Sequence, residues 1–353
     1  MDSRPQFALA LGGGAARGLA HIGILKVLQE ARIPVAGVAG TSIGAVVGGL
    51  FAAGVLDSYE QLIRGFTTRS AYLFLDPVFP TSGVFAGRRL EALLEALVRG
   101  RRIESLAVPF IAVATDLETG EELRLQRGSL VAAQRASFAI PGLFTPQRWQ
   151  GRWLVDGGLV APVPIEAAQS FHLDGIIAVD LQYGCLHQPP PSTAQQSLEQ
   201  RNEIAETETT QEIQSRIQAM SHDPSFSLQV RHFLQETWER GESAGHRLRE
   251  RARRIWTQVG RKNEDRPPGL LETINTSMTL VQAKLFQAQV AQQKPDVILR
   301  PYLPDVGLMD YHKADYAIAE GERVAREALA AGAFEWKHRR QLRPQEDRTT
   351  AGS

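Results

Sequence analysis

Apolar positions in the first half of the chain form short unbroken runs, separated by longer stretches with helical spacing. Phe7–Leu11 is an apolar run of strand length that stops at Gly12-Gly13-Gly14. Beyond it, Leu19, Ile22, Leu25 and Leu28 recur on one side of a helix expected from about Gly18 to Ala31, which Ile33-Pro34 breaks. The alternation continues with a strand at Val35–Ala39 and a small-residue helix at Ala45–Ala53. Further helices are expected over Arg89–Arg99, Leu130–Phe138 and Ile165–Phe171, and strands over Val108–Thr115, Trp153–Val155 and Gly175–Leu181. Asp116–Arg127 has the form of a hairpin around Thr119-Gly120. This order predicts an α/β fold, a three-layer sandwich with a mainly parallel central sheet.

The texture changes after Tyr183. A Pro/Ser stretch, Gln188–Ala194, leads into a Gln- and Glu-rich segment reaching about Ser221, and Arg231–Lys262 then reads as a helix that turns basic. Beyond Arg266-Pro267-Pro268-Gly269 the globular pattern returns as helix Leu271–Gln292, strand Val297–Arg300 and helix Ala314–Ala331. One domain is therefore expected over residues 6–183 and 267–333, interrupted by an insertion at 184–266. A polar tail at 334–353 is expected to be disordered.

Composition narrows the function classes. In 353 residues, 39 Lys and Arg balance 39 Asp and Glu, so no global field points to nucleic acid. The single cysteine, Cys185, cannot close an internal disulfide, which fits a reducing, cytoplasmic setting. The N-terminus lacks the form of a signal peptide, because Asp2 spoils its positive region and the glycines cut the apolar run short. Gly37–Leu56 has the length of a membrane span and carries no charge, but six of its residues are glycine, and a buried strand, turn and helix explains it better.

Three stretches carry the candidate chemistry. Gly40-Thr41-Ser42-Ile43-Gly44 fits the nucleophile elbow, in which serine sits on a strained strand-to-helix turn and flanking glycines permit close approach. The helix that follows adds amides and a positive dipole end beside Ser42. Gly12-Gly13-Gly14-Ala15-Ala16-Arg17-Gly18 also joins a strand to a helix, and its bared amides suit a phosphate or an oxyanion. It lacks the Gly-Lys-Ser/Thr of a P-loop, and it does not fit the dinucleotide fingerprint, since position Arg17 stands where the last glycine belongs. Arg17 suits either a surface cation or an orienting group for the loop. Asp156-Gly157-Gly158 places a carboxylate at a strand end with room around it, although an ordinary Asp-Gly turn reads the same way. Asp116 and Asp180 are rival bases at other strand ends. A histidine-completed triad would draw on His187, since His172 ends a helix and His21 packs inside one. No histidine pair has metal-ligand spacing, and no metal or cofactor is expected.

In order and spacing these motifs resemble the patatin-like phospholipase family, in particular its bacterial branch related to neuropathy target esterase. Ala114-Thr115-Asp116-Leu117, Ala136–Gly142 and Pro162-Val163-Pro164 add to the match, which covers roughly residues 6–182 and weakly 270–330. The resemblance implies a calcium-independent lipid acyl hydrolase with a Ser–Asp dyad, Ser42 as nucleophile and Asp156 as base. The glycine loop would form the oxyanion hole, with amides of Gly13, Gly14 and Ile43 as donors. Ala15 stands where the family loop often carries glycine.

Two further expectations compete or extend. A phosphate- or nucleotide-binding regulator would use the Gly12–Gly18 loop and leave Ser42 as a turn residue. Residues 247–262 hold seven Lys/Arg and one acid beside an apolar face of Leu248, Ala252, Ile255, Trp256 and Val259. Such a helix suits either packing on the domain with a solvated basic face or an anionic membrane surface; the second would attach the protein peripherally to a membrane that bears its lipid ester.

Overall fold

The computed structural model describes residues 5–66, 76, 78, 82–186, 215, 218–220, 226, 228–243 and 270–335. Its strands are β1 (Phe7–Leu11), β2 (Val35–Thr41), β3 (Gly83–Phe85), β4 (Phe110–Asp116), β5 (Glu122–Leu125), β6 (Gly142–Phe144), β7 (Gln147–Trp149), β8 (Arg152–Asp156), β9 (Gly175–Val179) and β10 (Val297–Leu299). The main helices are α1 (Ala20–Glu30), α2 (Ile43–Ala52), α3 (Leu56–Arg64), α4 (Arg88–Val98), α5 (Leu130–Ser137), α6 (Ile165–Gln169), α7 (Tyr183–Leu186), α8 (Leu228–Ser243), α9 (Leu270–Gln293) and α10 (Ala314–Ala330).

The central sheet runs β10-β9-β1-β2-β4-β8-β7, with β5 joined to β4. From β10 to β4 every pairing is parallel, while β5, β7 and β8 add antiparallel ladders. This is the mixed α/β sandwich with a mostly parallel sheet that the alternation predicts. Strand period explains its two cores. Phe7, Leu9 and Leu11 of β1 face the larger cluster with α1 and α2, whereas Ala8 and Ala10 face a smaller one with Ala167, Ala168 and Phe286.

The C-terminal segment belongs to the same sheet, because β10 pairs with β9 and α10 lies against α1. That crossing is close: a Cβ on Gly23 would sit 2.0 Å from Ile318 O, and one on Gly321 would sit 2.0 Å from Ala20 O. α8 packs on α4 and buries Val230 and Leu234, so part of the expected insertion contributes to the core. The basic stretch 247–262, His187 and the tail from 336 lie outside the described residues. No helix among the described residues is long and apolar enough to cross a membrane, and Gly37–Leu56 resolves into β2, the elbow and α2.

Three short features are not expected from the sequence: strands β6 and β7, and the parallel β3–β6 pair. Helix α3 was also missed. Each is only three to nine residues long, too short for periodicity to declare itself.

Candidate active site

The site is built by the register of β4. One edge of this strand pairs with β5; the other pairs with β2 as far as Val113 and then with β8 from Ala114. Thr41 therefore sits opposite Val113, and Asp156 opposite Ala114, the next rung. Two strands arriving from opposite directions meet end to end there. The residue after Thr41 is Ser42, and its Oγ donates to Asp156 Oδ2 at 2.5 Å.

Ser42 has φ +56 and ψ −122 between β2 and α2. A non-glycine residue there is strained by on the order of 1–3 kcal/mol, so neighbours must hold it. They do. The Ser42 amide donates to Ser137 Oγ at 2.8 Å, and Ser137 in turn donates to Val113 O at 2.6 Å. All of these groups are buried. Ser137→Ala would leave the Ser42 amide buried without a partner, and is expected to lower stability by roughly 1–3 kcal/mol. A urea midpoint unchanged by this substitution would contradict that reading.

Asp156 is held as firmly. Its Oδ1 accepts from the Gly158 amide at 2.7 Å, and its carbonyl accepts from Thr115 Oγ1 at 2.9 Å. Burial pushes its carboxyl up to about 6, partly offset by the hydrogen bonds from Ser42 and Gly158. A carboxylate poised there can accept a proton near neutral pH.

The rival carboxylates are occupied elsewhere. Asp116 accepts from the Glu118 and Thr119 amides and pairs with Arg152, and these hydrogen bonds, led by that of Glu118, hold it below the usual carboxylate range. Asp180 accepts from the Gln182 amide and lies 3.7 Å from Arg300. His172, with φ +54, leads into the start of β9 and so lies at the opposite end of the sheet from Ser42. His21 is fully buried, and burial lowers it to about 4, leaving the ring neutral. Its Nε2 donates to Gly12 O at 2.8 Å, so this histidine anchors the glycine loop.

The loop differs from expectation in one donor. The Gly13 amide is given to Pro162 O at 2.9 Å and has no hydrogen left for an oxyanion. The reason is tertiary: Pro162 follows the Asp156 turn and lies beside the loop. The amides of Gly14 and Ile43 donate to no protein acceptor among the described residues. Arg17 Nε donates back to Gly14 O at 3.3 Å, which suits the orienting role. Ala15 takes φ +51, a left-handed conformation that explains why glycine suits this position and that alanine here sustains. Gly12 donates to Val179 O, and Gly18 packs on Ile43 so tightly that a Cβ would lie 2.2 Å from its side chain. Gly40 and Gly157 are likewise pressed against backbone, with Gly44 O and Val113 O respectively 2.4 and 2.2 Å from where a Cβ would be.

Three site residues escaped the sequence reading of the chemistry. Ser137 stood in a recognised stretch with no sign that its hydroxyl faced the elbow. Gln182 and Gln282, far apart in the chain, meet above the loop.

A strand-to-helix serine bonded to a buried carboxylate beside a glycine loop defines a hydrolase-like α/β site. The sequence profile of the patatin-like phospholipases matches residues 9–168. An NTE family protein of Mycobacterium bovis is 31% identical over 338 residues, covering 94% of this chain and 93% of the relative. Human patatin-like phospholipase domain-containing protein 6 is 35% identical over 181 residues, which is 49% of this chain but 13% of that much longer protein. VipD from Legionella pneumophila shows a TM-score of 0.41 at 16% identity, over 57% of this chain and 53% of that one. The chain belongs to the patatin-like phospholipase family, with similarity over nearly its whole length to a mycobacterial NTE family protein. At family level it is a lipid hydrolase.

Proposed function

We propose that this protein is a lipid acyl-ester hydrolase of the phospholipase or lysophospholipase type, working through a Ser42–Asp156 dyad and an acyl-enzyme. The observation that carries this reading is the 2.5 Å contact between Ser42 Oγ and a buried carboxylate raised to about 6. Asp156 takes the Ser42 proton as Oγ bonds to the ester carbonyl carbon. The amides of Gly14 and Ile43 are the donors available for the oxyanion. The C–O bond then breaks, and the alcohol leaves with the proton held by Asp156. Water attacks the acyl-serine, gives its proton to Asp156, and the fatty acid departs as Ser42 regains its hydrogen. The substrate is met at a membrane surface, to which the protein attaches peripherally from the cytoplasmic side.

The test is intact-mass detection of a fluorophosphonate adduct with phosphatidylcholine vesicles present, mapped to a peptide. A single adduct on Ser42 is expected. Its absence would favour a phosphate-binding role for the Gly12–Gly18 loop instead. His187→Ala is expected to keep its hydrolytic rate within about twofold, because the base is the carboxylate already in contact with Ser42. A loss of activity there would point to a histidine-completed triad.

A further inference from the structure

The Ser42–Asp156 pair lies beneath a roof. The cavity at the pair is about 30 Å³, room for a few waters at most. Pockets that enclose a drug-sized ligand run to roughly 300–1,000 Å³. Ser42 is 4% and Asp156 1% exposed, so an ester cannot reach them in this arrangement.

One helix face contributes four residues to the roof. Asn275, Met278, Thr279 and Gln282 of α9 line the cavity, at the i, i+3, i+4, i+7 spacing of a single helical stripe. Gln182 Nε2 donates to Gln282 Oε1 at 2.8 Å and to Gly13 O at 3.4 Å, which ties the roof to the glycine loop. The C-terminal half of α9 is anchored to the body. Phe286 is buried in the smaller core, Gln289 Nε2 donates to Val160 O at 2.9 Å, and Gln293 O accepts from Gln169.

The outer face of the same helix has the opposite character. At 100° per residue, Leu280 falls on the side away from the cavity and Ile274 and Val281 on its flanks, and Ile274, Leu280 and Val281 are 38%, 45% and 60% exposed. Thr273–Ala283 carries no charge at all. An exposed, charge-free apolar face, on the helix whose inner face shuts the site, matches the boundary of a lipid layer.

We propose that α9 is a lid whose outer face docks on a lipid surface, and that docking breaks the Gln182–Gln282 latch to open the site. This rests on the hydrolase reading and adds where and how the substrate enters. Attachment through an uncharged face makes it insensitive to salt, unlike a basic helix.

The experiment follows the rate of fluorophosphonate labelling of Ser42 with and without neutral phosphatidylcholine vesicles, at low and high salt. For the wild type, vesicles are expected to speed labelling tenfold or more at either salt level. Gln282→Ala is expected to label several-fold faster than wild type without vesicles. Leu280→Asp with Val281→Asp, on the exposed face, is expected to keep the vesicle-free rate and lose the acceleration. Fast labelling without vesicles, or acceleration untouched by the double substitution, would overturn the lid while leaving the hydrolase reading intact. A double substitution that changes oligomeric state instead of vesicle response would assign the face to a second copy and equally overturn it. No Ser42 adduct in any sample, Gln282→Ala included, would overturn both readings.

Discussion

Asp156→Asn is expected to lower ester hydrolysis roughly 10²–10⁴-fold while making the protein more stable at neutral pH. The two effects have one cause. Burial raises the Asp156 carboxyl to about 6, against an unfolded value of about 3.9. The native state therefore favours the neutral form, and folding stability from this group is fully present below about pH 4. It declines as pH rises from about 4 to 6 and is level above that. The displacement corresponds to roughly 3 kcal/mol. Asparagine is permanently neutral, can still accept from Gly158, and can donate to Ser42 Oγ. The stability gain of the variant is thus near zero at pH 4, grows through pH 6, and then holds. Wild-type hydrolysis runs the other way, rising through about pH 6 as the base ionises. Paired denaturation curves and pH–rate profiles check both. A variant less stable than wild type at pH 8 would show that the carboxylate is held by its hydrogen bonds more than it is penalised by burial.

Gly44→Ala is expected to be the most damaging single methyl group near the site. A Cβ there would lie 2.1 Å from Leu11 O, 2.6 Å from Leu11 C and 2.8 Å from Gly12 O. These are backbone atoms of β1 and its glycine loop, and β1 is paired on both edges, so nothing can turn aside. Relief requires α2 to lift from the sheet, which moves Ser42 away from Asp156. A loss of about 3 kcal/mol or more is expected, toward the upper end for overpacking, read as a lower Tm or as insoluble protein. Wild-type stability in this variant would mean that α2 has room to shift.

How far the chain could be read in advance follows from the range of the interactions. The strand-to-helix turns at Gly12–Gly18 and Gly40–Gly44 were legible because each depends on local steric demands that only small residues meet. The Asp156-Gly157-Gly158 turn was legible as a turn from its residues, and as the partner of Ser42 only through the family resemblance. Its rivals Asp116 and Asp180 look alike in sequence, and only the turn amides and Arg152 around Asp116, or Arg300 beside Asp180, separate them. The assignment of Gly13 as an oxyanion donor failed for a related reason. A glycine run bares several amides, and which one remains unpaired depends on Pro162, nearly 150 residues along the chain.

By itself, the sequence determined the α/β alternation, the neutral charge balance, the elbow at Ser42 and the membership that its motifs announce. These are encoded in periodicity and in residues whose backbone needs are local. Only the tertiary structure decided that β2 and β8 meet on consecutive rungs of β4, which brings Ser42 to Asp156. It also decided the Ser137 support beneath the elbow and the α9 roof above it. Those contacts join residues about a hundred positions or more apart. Their geometry is set by strand register and helix packing, which no local pattern in the chain encodes.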